Sequence, residues 1–123
     1  MSHPPLFSIV TVTKNNPAGF QKTLKSLQNQ CFKDFQWIVI NGGNEKDALV
    51  PQEIGATKTC ITEPDEGPFD AMNKAIPLCR GTFTLFLNAG DRIAENETLY
   101  NLANFIPPNC DFIYGDSFES IKE

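Results

Sequence analysis

The chain has 123 residues, 41% of them hydrophobic and 20% charged, with a formal net charge of −5 at pH 7 and a pI near 4.8. That size accommodates a core without disulfide or metal staples, and no apolar run approaches the roughly 20 residues of a membrane helix. The acidic balance disfavours nucleic-acid binding through a general basic surface, and the start MSHPPLFSIV lacks the basic and long apolar regions of a signal peptide, so an intracellular protein is expected.

Residues 6–13, LFSIVTVT, are rich in β-branched side chains and read as a first strand. Asn16 suits an N-cap and Pro17 a first helical position. Phe20, Leu24, Leu27 and Cys31 then recur on one helical face, predicting a helix to about residue 30. Residues 35–40, FQWIVI, form a second strand ending in Asn41-Gly42-Gly43-Asn44. Residues 45–56 are ambiguous, with a short helix interrupted at Pro51, and residues 57–62 give a weaker third strand. Pro68 then opens a helix with Asp70 in its first turn, favourable to the helix dipole. Phe69, Met72, Ile76 and Cys79 make its apolar stripe, read as core, and Pro77 shortens its last turn. Residues 82–87 form a fourth strand, residues 95–105 a helix carrying Leu99, Leu102 and Ile106, and CDFIYGD from Cys110 a fifth strand.

This alternation predicts an α/β fold: a mostly parallel sheet with helices on both faces, in a single domain over residues 1–123. Cys31, Cys60, Cys79 and Cys110 form no C-x-x-C pair and His3 is the single histidine. This argues against a zinc site and against a Ser-His-Asp or Cys-His arrangement, and the cysteines read as buried small hydrophobes.

Open α/β sheets bind ligands outside the carboxyl ends of their strands. Here those ends read Thr13-Lys14-Asn15, Asn41-Gly42-Gly43, Glu63-Pro64-Asp65, Asn88-Ala89-Gly90-Asp91 and Gly115-Asp116. Ordinary turn chemistry explains part of this; a ligand rim explains why glycine and short acids or amides dominate. No P-loop and no G-x-G-x-x-G motif is present. Short oxygen ligands suit a hard cation, Mg²⁺ or Mn²⁺, sharing a diphosphate, which suggests a nucleoside diphosphate or a nucleotide sugar.

The segments FSIVTVTKNN, FQWIVINGG, TEPDEGPFDAMNKAI, GTFTLFLNAGD and DFIYGD stand in the order and spacing of family 2 glycosyltransferases of the GT-A (nucleotide-diphospho-sugar transferase) fold, most similar to the bacterial polysaccharide-building type. The resemblance spans residues 6–116, and its strongest pieces are EPDEGPFDAMNKAI and FLNAGD. It implies that Val12, Thr13, Lys14 and Asn15 line a nucleotide pocket and that Asp65 lies near the nucleoside. Asn41 stands where the family usually has an acid contacting base or ribose. Asn73 matches the asparagine of the nucleotide-side helix. Residues 88–91 match the metal-binding DXD region, but Asn88 and Gly90 replace acids. Asn88 is thus assigned to the nucleotide and Asp91 to the metal.

Plainer readings stand beside these. Asp91 can cap a helix or close a turn, Asp70 can serve only the helix dipole, and Lys74, Arg80, Glu63 and Glu66 can be solvated surface charges.

The implied reaction is inverting transfer of a sugar, from a UDP-sugar by family habit, to a glycan or lipid-linked acceptor hydroxyl. In the family the base and acceptor site follow the YGD strand. This chain therefore resembles the N-terminal, nucleotide-binding part, truncated before a catalytic base; Asp116 reads as rim support. An uncovered acceptor-side face makes a homo-oligomer an expectation, and the acceptor implies peripheral association with the inner face of the membrane, in the cytoplasm. A non-catalytic nucleotide- or protein-binding module is the alternative. A nucleotidyltransferase is the third reading, weakened because TKNNPAG lacks a Gly-rich basic loop.

Overall fold

The computed structural model describes residues 4–93, 95–105 and 112–113. In chain order they form β1 (Phe7–Thr13), α1 (Pro17–Gln28), β2 (Phe35–Asn41), a 3-10 turn (Glu45–Asp47), β3 (Thr57–Thr62), α2 (Pro68–Ala75), a second 3-10 turn (Ile76–Leu78), β4 (Phe83–Phe86), α3 (Thr98–Phe105) and β5 (Phe112–Ile113). The five strands make one sheet in the order β3-β2-β1-β4-β5, and every pairing is parallel. The α/β fold expected from the alternating pattern is therefore present. No helix among the described residues is long and apolar enough to cross a membrane.

Side chains alternate across the sheet, as period-two strands require. On one face Phe7, Ile9, Phe35, Trp37, Val39, Phe83, Leu85 and Leu87 pack against Phe20, Leu24 and Leu27 of α1 and Leu99 of α3. Trp37 stacks on Phe20 with centroids 5.4 Å apart, and its indole N–H donates to Thr11 Oγ1 at 2.8 Å. On the other face Val10, Ile38 and Ile40 meet Ala71 and Ala75 of α2. There a buried polar cluster fixes the approach to β4. Ser8 Oγ donates to Gln36 Oε1 at 2.7 Å, Gln36 Nε2 donates to the Leu78 carbonyl at 2.8 Å, and Gly81 N–H donates to Ser8 Oγ at 2.7 Å.

The N-terminus of α1 forms as expected: Asn16 Oδ1 accepts the Gly19 N–H at 3.0 Å with Pro17 in the first turn. The helix stops at Gln28, so Cys31 lies beyond it. α2 differs more. Its buried face is Ala71 and Ala75, while Phe69 is 81% and Ile76 51% exposed. The expected Phe69–Ile76 core stripe is thus the outer side; two alanines admit the helix backbone close to the sheet, and that packing sets its rotation. Pro77 ends the helix in a 3-10 turn, as anticipated.

Cys31 and Cys60 are exposed, the latter on edge strand β3, and Cys79 is half-buried, so among the three described cysteines only Cys79 approaches the small-hydrophobe reading. Ile106, Cys110, Gly115 and Asp116 lie outside the described residues.

Candidate functional site

The rim is built where β1, β2, β3 and β4 end side by side. Thr13 and Asn41 are the last paired residues of β1 and β2, and the Gly42 N–H donates to the Thr13 carbonyl at 2.9 Å. Beyond Thr13 the chain turns sharply: Asn15 has φ 54°, a left-handed conformation that asparagine tolerates better than most side chains. Val12 is partly buried beneath the rim, and Lys14 and Asn15 are exposed on it.

Two glycines let the loops meet. A Cβ at Gly42 would collide with the Asp65 carboxylate, and one at Gly43 would stand 2.6 Å from Asn15 Oδ1. The loop after β2 is therefore pressed between those following β1 and β3, an approach that only a residue without a side chain permits.

Asn41 is wholly buried. Its Nδ2 donates to the Asn44 carbonyl at 2.7 Å and reaches Thr62 Oγ1 at 3.5 Å, while its Oδ1 accepts the Gly43 N–H at 2.9 Å. Both ends of the amide thus build the turn. An acid here would lose the donor that Asn44 requires, which explains the amide physically.

Asp65 accepts the Gly67 N–H on Oδ1 at 3.1 Å. Lys74 steadies the same loop: its Nζ donates to the Pro64 carbonyl at 2.7 Å and pairs with Glu63 at 3.1 Å and Asp70 at 3.8 Å. Asp70 also accepts the Glu66 N–H at 2.9 Å. Lys74 is therefore a loop fastener, with the more exposed carboxylates of Glu63 and Asp70 as its partners. Asn73 is exposed on α2, and among the described residues no hydrogen bond ties it to the rim.

After β4 the chain remains fastened to β1 through the Ala89 N–H and the Val12 carbonyl at 3.0 Å. The Asp91 N–H donates to the Asn88 carbonyl at 2.9 Å, and the Asn88 N–H donates to Asp91 Oδ2 at 3.2 Å. Gly90 between them has φ 101°. Thr23 of α1 joins this loop through its hydroxyl, a residue that the sequence reading passed over. Its one signal was a hydroxyl within the buried stripe of Phe20, Leu24 and Leu27.

Three side-chain oxygens among the described residues are buried without a hydrogen-bond partner: Thr13 Oγ1, Asp65 Oδ2 and Asn88 Oδ1. Each such group costs about 1–3 kcal/mol, and folded interiors rarely leave one. All three stand at the carboxyl ends of strands β1, β3 and β4. Asn88 shares the loop after β4 with the Asp91 carboxylate, and such short oxygen donors suit a hard cation, whereas Thr13 and Asp65, at the ends of β1 and β3, suit ligand N–H and O–H groups. Among the described residues no group of three His, Cys, Asp or Glu side chains is assembled. A cation at Asp91 would thus take most of its ligands from a diphosphate and water.

A parallel sheet with helices on both faces and polar loops gathered at its carboxyl edge defines an open α/β protein, and a solved structure identifies it as one of GT-A type. The chain superimposes on the crystal structure of S. aureus TarS with a TM-score of 0.64 and 25% identity, covering 81% of this chain and 19% of that one. Residues 8–123 match glycosyl transferase family 2, and the chain belongs to that family. It is 34% identical over 119 residues to a PGL/p-HBAD biosynthesis glycosyltransferase of Mycobacterium bovis (strain BCG / Pasteur 1173P2), covering 91% of this chain and 46% of that protein. It is also 34% identical over 98 residues to an uncharacterized glycosyltransferase of Mycobacterium tuberculosis (strain CDC 1551 / Oshkosh), covering 76% of this chain and 37% of that protein. The chain spans less than half the length of these relatives.

Proposed function

We propose that the chain is the donor-binding part of a glycosyltransferase, holding a nucleoside diphosphate sugar at the carboxyl rim of β1 to β4 for transfer to an acceptor hydroxyl. The observation that carries this reading is the set of three unpartnered buried oxygens, Thr13 Oγ1, Asp65 Oδ2 and Asn88 Oδ1, on three loops of one rim. The N–H and O–H groups of a nucleobase and ribose satisfy Thr13 and Asp65, a cation satisfies Asn88, and the bound ligand thereby recovers their desolvation cost.

In this reading Asp65 accepts a hydrogen bond from the nucleoside through Oδ2, while Gly67 keeps Oδ1 oriented. The Thr13 hydroxyl, able to donate and accept, holds a neighbouring polar group. Asn88 Oδ1 and the Asp91 carboxylate supply protein ligands for Mg²⁺ or Mn²⁺. That cation, when bound, neutralises the charge that grows on the departing diphosphate. Asn41 acts indirectly, by holding the 41–44 turn, and UDP is the probe of choice from family habit. The base that deprotonates the acceptor, with inversion at the anomeric carbon, is assigned to the part of the relatives that this chain does not span. A glycan or lipid-linked acceptor would bring the protein to the cytoplasmic face of a membrane.

A non-catalytic nucleotide-binding module is the second reading, favoured by the absence of a three-residue metal cluster among the described residues. Calorimetric titration of UDP, with and without Mn²⁺, separates the two. The donor-site reading predicts Mn²⁺-enhanced binding that Asp91→Ala abolishes. Binding indifferent to Mn²⁺ supports the module, and no binding in either condition contradicts both.

A further inference from the structure

Thr23 is wholly buried on α1, where a purely apolar side chain would satisfy the packing. Instead its hydroxyl serves the loop formed by residues 88–91, more than 60 positions later in the chain. Thr23 Oγ1 lies 2.5 Å from the Asp91 carbonyl, 3.3 Å from the Asn88 carbonyl and 3.3 Å from the Gly19 carbonyl, and it accepts the Gly90 N–H at 3.1 Å. A hydroxyl carries one proton, so the shortest contact, to Asp91, receives it. Gly90 has a second acceptor in the Gly19 carbonyl at 3.0 Å.

Asp91 is thereby tied to α1 as well as within its own loop. Thr23 holds its carbonyl, and the Asn88 N–H holds its carboxylate at 3.2 Å. Removing the hydroxyl spares the second contact and cuts the first, leaving the loop with one fewer tie to α1.

We propose that Thr23 is a positioning residue for the cation-binding end of the donor site, its hydroxyl locking residues 88–91 to α1 so that Asp91 and Asn88 present their oxygens together. The proposal rests on the donor-site reading above. Thr23 acts through Asp91 and touches no ligand.

The test is a calorimetric titration of UDP, with and without Mn²⁺, into the wild-type chain, Thr23→Val, Thr23→Ala and Thr23→Ser, with thermal unfolding measured on each. Both hydroxyl-free variants are expected to bind UDP without Mn²⁺ within about twofold of wild type, and to lose about tenfold of the Mn²⁺ enhancement, the scale of one buried hydrogen bond to an otherwise unpaired group. Thr23→Ser is expected to restore the enhancement. Enhancement retained in both hydroxyl-free variants overturns the proposal. So does an equal loss of affinity with and without the metal, or failure of serine to rescue. A wild-type chain that binds UDP with no Mn²⁺ enhancement overturns both this proposal and the cation site, whereas wild-type enhancement with unaffected variants overturns this proposal alone.

Discussion

A side chain on Gly42 would occupy the place of the Asp65 carboxylate. These two residues close the gap between the loops after β2 and β3, and the glycine is the condition for the acid's position. Gly42→Ala should therefore displace the Asp65 carboxylate from its place. We expect a loss of about 1–3 kcal/mol of stability, typical of inserting an atom into a closed contact, together with loss of UDP affinity. Denaturant unfolding checks the first and calorimetry the second; an alanine variant with wild-type values for both would show the contact to be yielding.

Thr13→Val should separate stability from binding. The Thr13 hydroxyl is buried with no partner, so the isosteric valine relieves an unmet polar group. The ligand-free variant is expected to be more stable by about 1 kcal/mol while UDP binds about tenfold more weakly. Thermal unfolding with and without nucleotide reads both effects. Destabilisation of the ligand-free variant would mean that the hydroxyl has an internal role.

Asn41→Asp introduces the acid usual at this position in the family, yet it should harm the chain. Asn41 Nδ2 donates to the Asn44 carbonyl at 2.7 Å. A carboxylate there would set oxygen against oxygen in a buried turn, at a cost of about 2 kcal/mol. Urea unfolding of the variant at pH 7 tests this, and unchanged stability would show that the turn rearranges freely.

Much of this was legible in the sequence. The β-branched runs gave β1 and β2, the Asn16-Pro17 pair gave the start of α1, and short acids, amides and glycines marked the strand ends that gather at the rim. The rotation of α2 was not legible. Periodicity favoured Phe69, Met72 and Ile76, whereas close helix–sheet packing selected Ala71 and Ala75, small residues that a hydrophobicity pattern undervalues. The part played by Thr23 was hidden for another reason: its partners lie 65 and more positions away in the chain, and a single hydroxyl among leucines reads locally as an ordinary helical residue.

Cys79 offers a check on the α2 face of the sheet. Burial pushes its thiol above the ordinary value, with hydrogen bonds to Thr84 and Ser8 opposing. The folded state therefore retains the proton after the unfolded chain has begun to lose it. The contribution of Cys79 to stability is constant below the ordinary thiol range, about pH 8.5, and falls as pH rises through it toward the folded value. In the native protein, iodoacetamide alkylation of Cys79, followed by peptide mass mapping, should show a midpoint above that of a free thiol. A midpoint at or below the free-thiol value would mean that this face is open to water.

The central claim is that the carboxyl rim of β1 to β4 receives a nucleoside diphosphate sugar. Amide chemical-shift mapping of the isotopically labelled chain, titrated with UDP-glucose and Mg²⁺, tests it directly. The account predicts shifts concentrated at Thr13, Asn15, Gly42, Asp65, Asn88 and Asp91, with the amino-end loops of the sheet silent. Saturable shifts centred elsewhere, or none at millimolar ligand, would contradict it.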